Sequence, residues 1–442
     1  MNGSTTATIA TCLQELGEWL WPATRELPAP VLARAQRLWL DTVSCACSGI
    51  RPEEPARWIA AQARGDAGAV PLPGSAVHLS AAAACSSFAV AACWDEACEG
   101  LALAHGRPGV PVVAALWPEL AGGRHSWQAV LRATAAGYEV AARLGARLRI
   151  RPGMHVDGVW SALGAAAALV HLRGGNWHEA QRALEACAIQ LPFSLYRPVR
   201  DGANARNLYL GHSSWLGRQA AEAVLAGFST PTGAIDEFAG LALAPQPAGE
   251  WIAPGAWLLL QSYWKPFAAA RHVHYGAQAA LQLRAQLPDL DAVEAIRLTA
   301  YPEALQYCGI RAPQTSLAAQ FSLSFGVAAA LVHGDLSPAE FHPPRFHDPV
   351  LRRLEALVEL VPDAQAVPGT TRGARLQVRA GAREWQVAQG PVAGDAGQEP
   401  TPDQVMHKFA RYTGEDAAMA RWSRELLADP ARTPARFPGE AP

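Results

Sequence analysis

The sequence predicts a mainly α protein, a large all-helical domain joined to a smaller α+β domain. Small and apolar residues recur at helical spacing through most of the first half. Period-two alternation, the mark of strands, is confined to a few stretches beyond residue 290. Between them lies a Pro/Gly-rich connection, Pro245 to Gly255, of the kind in which domain boundaries fall. Residues 1–255 are therefore read as the helical domain, 256–398 as the α+β domain, and 399–442 as C-terminal helices rejoining the first.

In chain order, Leu32, Ala35, Trp39, Val43 and Ala46 give an amphipathic helix ending near Gly49, followed by a Pro/Gly-rich bend. An Ala-rich helix over Ser80–Ala92 runs into Cys93-Trp94-Asp95-Glu96 and a loop reaching His105-Gly106-Arg107-Pro108-Gly109. Helices are expected over 110–117, 127–148 and 178–188. Another follows Arg206 to Gly211 and is stopped by Gly227. Beyond the connection, helices are expected over 272–286 and 322–333. Strands are expected at Val293–Tyr301 and on either side of Ala380-Gly381-Ala382. Thr401-Pro402-Asp403-Gln404 is a capping box with Pro at the first helical position.

The stretch Gly137–Asn176 is the hub. From Val159 to Leu172 the helix is apolar on nearly every face, so other helices must surround it. It is shorter than the roughly 20 apolar residues of a membrane span. His155 precedes it, beside Asp157 and Gly158, where free N–H groups favour an anion. From position alone His155 reads as an ordinary turn residue.

The chain has 442 residues, 17% charged, and a net charge of −2, which gives no support for a nucleic-acid partner. No membrane span or secretory signal is read, so the expected location is the cytoplasm. Its eight cysteines stand in apolar helical text without Cys-x-x-Cys pairing and are read as buried thiols. There is no Gly-rich phosphate loop, Gly-x-Ser-x-Gly elbow or His-Glu-x-x-His. What remains is Asp95, Glu96, His105, His155, Arg206, Lys265, His272 and His274, mostly near turns or helix ends. Together they offer what proton abstraction beside a carboxylate needs: a base, and positive charge for an enediolate-like anion. Glu99, Arg107, Arg149 and Arg151 read as a solvated rim.

Several segments carry a resemblance in their order and spacing: Arg37-Leu38-Trp39-Leu40-Asp41-Thr42-Val43, Trp94-Asp95-Glu96, Gly137-Tyr138-Glu139-Val140, Gly153-Met154-His155, Gly211, Lys265-Pro266-Phe267, Ala319-Gln320-Phe321-Ser322 and Met406-His407-Lys408-Phe409. Over almost its whole length the chain resembles the MmgE/PrpD family, which includes 2-methylcitrate dehydratases, cis-aconitate decarboxylases and iminodisuccinate epimerase. The resemblance implies a metal-free, cofactor-independent homodimer. It also implies a large helical domain built from both chain ends and covered by an α+β lid, with the active site in the cleft.

Carried over residue by residue, His155 matches the family histidine and Lys265 the lysine opening the lid. Arg271 and His274 match a lid arginine and histidine, and Tyr307 a lid tyrosine. Asp95 and His105 fall on the first aspartate and the histidine of an Asp-x-Asp-Asp-Thr…His-Pro pattern. Within it Ala97, Cys98 and Glu99 replace the paired aspartates and threonine, and Arg107 enters the loop. Arg206 stands for a lysine, and Ala270 for a histidine of the decarboxylases.

The resemblance implies a lyase acting on a small carboxylate-bearing substrate, removing water or carbon dioxide through a carbanion. Arg206 and Arg107 would clamp carboxylates, His155 and His105 would move protons or hold the anion, and Lys265 would be base or anchor. An isomerase or epimerase using the same α-proton chemistry is the alternative, and a degenerate ligand-binding homologue the third.

Overall fold

The computed structural model describes residues 8–243, 249–287, 289–367 and 372–428. Its centre is the helix Ser161–Leu172, in which every residue but His171 is buried. Four helices surround it: Gly109–Ala121, Trp127–Arg147, Trp177–Ala188 and Leu208–Leu225. Glycines at the closest contacts permit this crowding. A methyl group at Gly164 would lie 2.6 Å from the Gly137 carbonyl oxygen, and one at Gly217 would lie 2.4 Å from that of Ala162.

The helix Ala29–Gly49 packs against Ala81–Trp94, whose Ser80 side chain caps it by accepting from the Ala83 N–H. The bend between them is a short antiparallel ribbon, Ala67–Pro71 with His78–Leu79, where the sequence reading expected no strand. The turn runs through Gly74 at φ +75°, and pairing the two arms satisfies backbone groups an open bend would leave free. Helices Ile9–Ala23 and Glu53–Gly65 also lacked a clear sequence signal.

Of the Pro245–Gly255 connection, 245–248 lie outside the described residues. The chain just beyond it is pinned to the helical domain. Glu139, fully buried beside Arg143, accepts from the Leu258 and Leu259 N–H groups at 3.1 and 2.8 Å, while Arg143 donates to the Ala256 carbonyl at 2.8 Å. The α+β part holds a four-stranded sheet in the order Val358–Pro362, Ala295–Ala300, Ala374–Ala380, Arg383–Gln389; the first pair is parallel and the others antiparallel. Ile296, Leu298 and Ala300 are buried, as the alternation expects. Helices Arg271–Arg284 and Leu323–His333 pack together against this sheet. Strand Val358–Pro362 was not anticipated; it follows directly on the helix Pro349–Leu357.

The capping box forms at Thr401 and Gln404, and the helix Pro402–Thr413 packs on Ala29–Gly49 at the other end of the chain. Lys408 sits at this junction, fully surrounded. Its Nζ donates to Asp41 Oδ1 at 2.6 Å and to the carbonyls of Ala97 and Lys265 at 2.8 and 2.9 Å. The helix Ala417–Ala428 follows; 429–442, the rest of the expected C-terminal helices, lie outside the described residues. All eight cysteines are buried free thiols. Among the described residues no helix is long and apolar enough to cross a membrane.

Candidate active site

A cavity of about 490 Å³ lies between the helical part and the α+β lid. Its helical wall comes from the loop after Ala81–Trp94, from the segment Leu148–Asp157, and from Tyr196 and Arg206; its lid wall includes Lys265, His272 and Tyr307. Loop and lid are tied by their main chains. Gly100 and Tyr263 exchange N–H···O bonds of 3.3 and 2.8 Å, and a side chain at Gly100 would strike the Tyr263 ring.

The helix Ala81–Trp94 ends with two acidic residues that part company. Asp95 turns back: its Oδ2 accepts from Ser48 Oγ at 2.6 Å, and it does not line the cavity. Glu96, at φ +53°, swings into the cleft. Its Oε1 accepts from Lys265 Nζ at 2.9 Å and its Oε2 from Arg107 Nη1 at 3.0 Å and from Arg206, while Lys265 also reaches the Glu96 carbonyl at 2.7 Å. Burial alone would raise this carboxyl, but Arg107, Arg206 and Lys265 hold it well below the usual carboxylate range. Arg107 is shared with Asp157, and Arg206 donates to Asn207 Oδ1 at 2.8 Å. Both arginines expected to clamp substrate are thus engaged by protein groups.

Nor do Arg107 and Glu99 form a solvated rim, since both are buried. Glu99 Oε1 accepts from the Gly109 N–H at 2.7 Å at the start of helix Gly109–Ala121, and burial pushes its carboxyl up to about 8. Arg149 is half-buried and lines the cavity. Arg151 is exposed and donates to the Leu241 and Leu243 carbonyls.

His155 is anchored through its N–H to the Ser194 carbonyl at 2.8 Å. Its Nδ1 accepts from the Asp157 N–H at 3.0 Å, so the neutral ring carries its proton on Nε2. Burial, with Arg206 and Arg107 adding to it against Asp157, brings the imidazole down to about 4. His155 is therefore a neutral donor. His105, on the turn closed by the Leu101–Gly106 bridge, takes φ +55° and lines the cavity. Burial and then Arg149 and Arg372 bring it to about 4 as well.

These shifts set a pH dependence. His105 and His155 stay neutral in the folded chain, whereas the unfolded chain takes up protons below the ordinary value of 6.5. Their contribution to stability is present above 6.5 and lost as pH falls towards about 4. The thermal midpoint is expected to drop across that window by calorimetry, and less steeply in His155→Gln. Equal slopes for variant and wild type would contradict a neutral His155.

Among the lid residues, Arg271 lines the cavity, with its guanidinium bonded to Asp395 and to the Trp264 carbonyl at 3.2 Å. His274 is fully buried outside the lining. It bonds the Ala269 carbonyl through Nε2 at 3.1 Å and Arg271 through Nδ1 at 3.2 Å, and so props the arginine. Tyr307 lines the mouth, its ring 5.9 Å from that of His272 and 5.7 Å from that of Tyr196. Ala270 also lines the cavity. Sequence reasoning preferred Asp95 to Glu96 and passed over Tyr263, Glu303 and Arg372, which also line it. No motif marks these three. Among the described residues no group of three or more His, Cys, Asp or Glu side chains is placed to hold a metal ion.

Comparison with protein families matches residues 16–247 to the MmgE/PrpD N-terminal domain and residues 267–428 to the MmgE/PrpD C-terminal domain. No curated protein matches the chain.

Proposed function

The chain belongs to the MmgE/PrpD family, whose members include dehydratases and decarboxylases and are generally enzymes of lyase type, and from that premise we propose a cofactor-independent lyase acting on a small carboxylate-bearing substrate. The observation that carries this reading is a neutral His155, Nε2–H free for a ligand, lining the same cavity as the Glu96–Arg107–Arg206–Lys265 cluster.

In this reading a proton leaves the carbon beside a substrate carboxylate, and the resulting enediolate-like anion is stabilised by donors already in place. His155 donates from Nε2. His105, neutral and lining the cavity, takes the proton. Lys265 acts as an electrostatic anchor, because its Nζ is already engaged by the Glu96 carboxylate and carbonyl. For a dehydratase, hydroxide then leaves the neighbouring carbon and departs as water with a proton from a cavity acid; for a decarboxylase, no proton is removed first, carbon dioxide leaves its electron pair on carbon as the stabilised anion, and a cavity acid protonates that carbon. An isomerase or epimerase is the second reading. It is favoured by Ala270, which brings only a methyl group to the cavity where the decarboxylases of the family carry a further histidine. Exposed Ile189, Phe193, Leu195 and Leu208 support the homodimer that accompanies both readings.

The test is proton exchange in heavy water over a panel of small carboxylic acids. Exchange with release of water or carbon dioxide supports the lyase; exchange with inversion and no leaving group supports the epimerase. His155→Gln is expected to lower either rate by roughly 10²–10⁴-fold. Full turnover in that variant would place the chemistry elsewhere.

A further inference from the structure

Four of the cations lining the cavity are already matched by protein acceptors. Arg107 is held by Glu96 and Asp157, Arg206 by Glu96 and Asn207, Lys265 by Glu96, and Arg271 by Asp395. Two others, Arg149 and Arg372, line the same cavity and form no ion pair with any described residue. Arg149 follows the helix Trp127–Arg147, on the helical side. Arg372 precedes the strand Ala374–Ala380, on the lid. Both act electrostatically on His105, and Arg372 also acts on His272.

From this unequal matching we propose that Arg149 and Arg372 form a second anion-binding arm spanning the cleft, so that the substrate carries a carboxylate for this arm besides the one beside the reacting carbon. The inference rests on the reading of this cavity as the substrate site. A half-buried guanidinium without a counter-ion is costly, and the cost is relieved when a ligand brings the charge. Around Arg372 the nearby groups are Tyr263, Tyr275 and Tyr301, of which Tyr275 hydrogen-bonds it, and these neutral phenols leave its charge unmatched. Glu303 lines the cavity and acts on Arg372 at longer range, but makes no ion pair with it. An anion on both arginines is held by both domains at once. The arm therefore selects for charge number and also draws the lid onto the helical domain. Arg107 and Arg206, occupied by Glu96, line the same cavity without a free charge to offer.

Calorimetric titration of the full chain with butyrate, succinate and propane-1,2,3-tricarboxylate tests this. At least one of the polycarboxylates is expected to bind tenfold or more tightly than butyrate. Arg149→Gln and Arg372→Gln should each remove that advantage while leaving butyrate binding unchanged, and Arg149→Lys and Arg372→Lys should keep most of it. The arm is overturned if neither polycarboxylate outbinds butyrate, if the glutamine variants keep the advantage, or if they weaken butyrate equally. His155→Gln separates this result from the proposed chemistry, because it should slow exchange by the same roughly 10²–10⁴-fold and preserve the binding preference. A preference that depends on the two arginines, with no exchange in any acid, would keep the arm and discard the lyase.

Discussion

Glu96→Gln is expected to destabilise the protein by about 3–5 kcal/mol, the range for removing one partner of a buried charge cluster. Glutamine keeps the shape and removes the anion on which Lys265, Arg107 and Arg206 converge, leaving Asp157 as the remaining carboxylate of the cluster. The cations would then face one another in a wall where Glu96, Arg206 and Lys265 are all buried. Denaturant unfolding measures the loss, and a second variant assigns it. Glu96→Gln combined with Lys265→Met removes one charge of each sign and should recover a large part of the stability without restoring exchange. If the single variant unfolds like the wild type, the cluster is not the electrostatic centre of the cleft.

Lys408→Met should be nearly as damaging, for a different reason. Lys408 joins the first long helix through Asp41, the cavity loop through the Ala97 carbonyl and the lid through the Lys265 carbonyl. Methionine fills the space but leaves a buried carboxylate and two carbonyls without their donor, a loss of about 3–5 kcal/mol when a buried charge is stranded. Burial already raises the Asp41 carboxyl, and Lys408 opposes this. Adding Asp41→Asn should therefore return part of the stability. Positioning is read separately. Hydrogen exchange at amides 97–107 should quicken in Lys408→Met more than in the central helix Ser161–Leu172. Uniform quickening would reduce Lys408 to a general packing role.

Much of the helical part was legible because helical spacing is a local signal and small side chains announce close packing. The hub helix, Ala29–Gly49 and the capping box at Thr401 were of this kind. The site was harder. Nothing local joins Glu96 to Lys265, 169 positions apart; only the resemblance placed His155, Arg206 and Lys265 in one cleft. Even then Asp95 was preferred to Glu96. At a helix end a single residue with positive φ decides which of two adjacent carboxylates enters the cavity, and the sequence does not display that angle. Arg149 read with Glu99, Arg107 and Arg151 as a solvated rim because burial by distant parts of the chain is invisible locally. Arg372 has neither a motif nor a period to mark it.

The exchange of main-chain hydrogen bonds between Gly100 and Tyr263 locks loop to lid through groups that every residue carries. Peptide groups do not depend on side-chain identity, so the registration of lid against loop survives substitution of the residues beyond Gly100. Residues 101–108 are thus registered against the lid at their root by peptide groups, while Arg107 within them is fixed separately by Glu96 and Asp157.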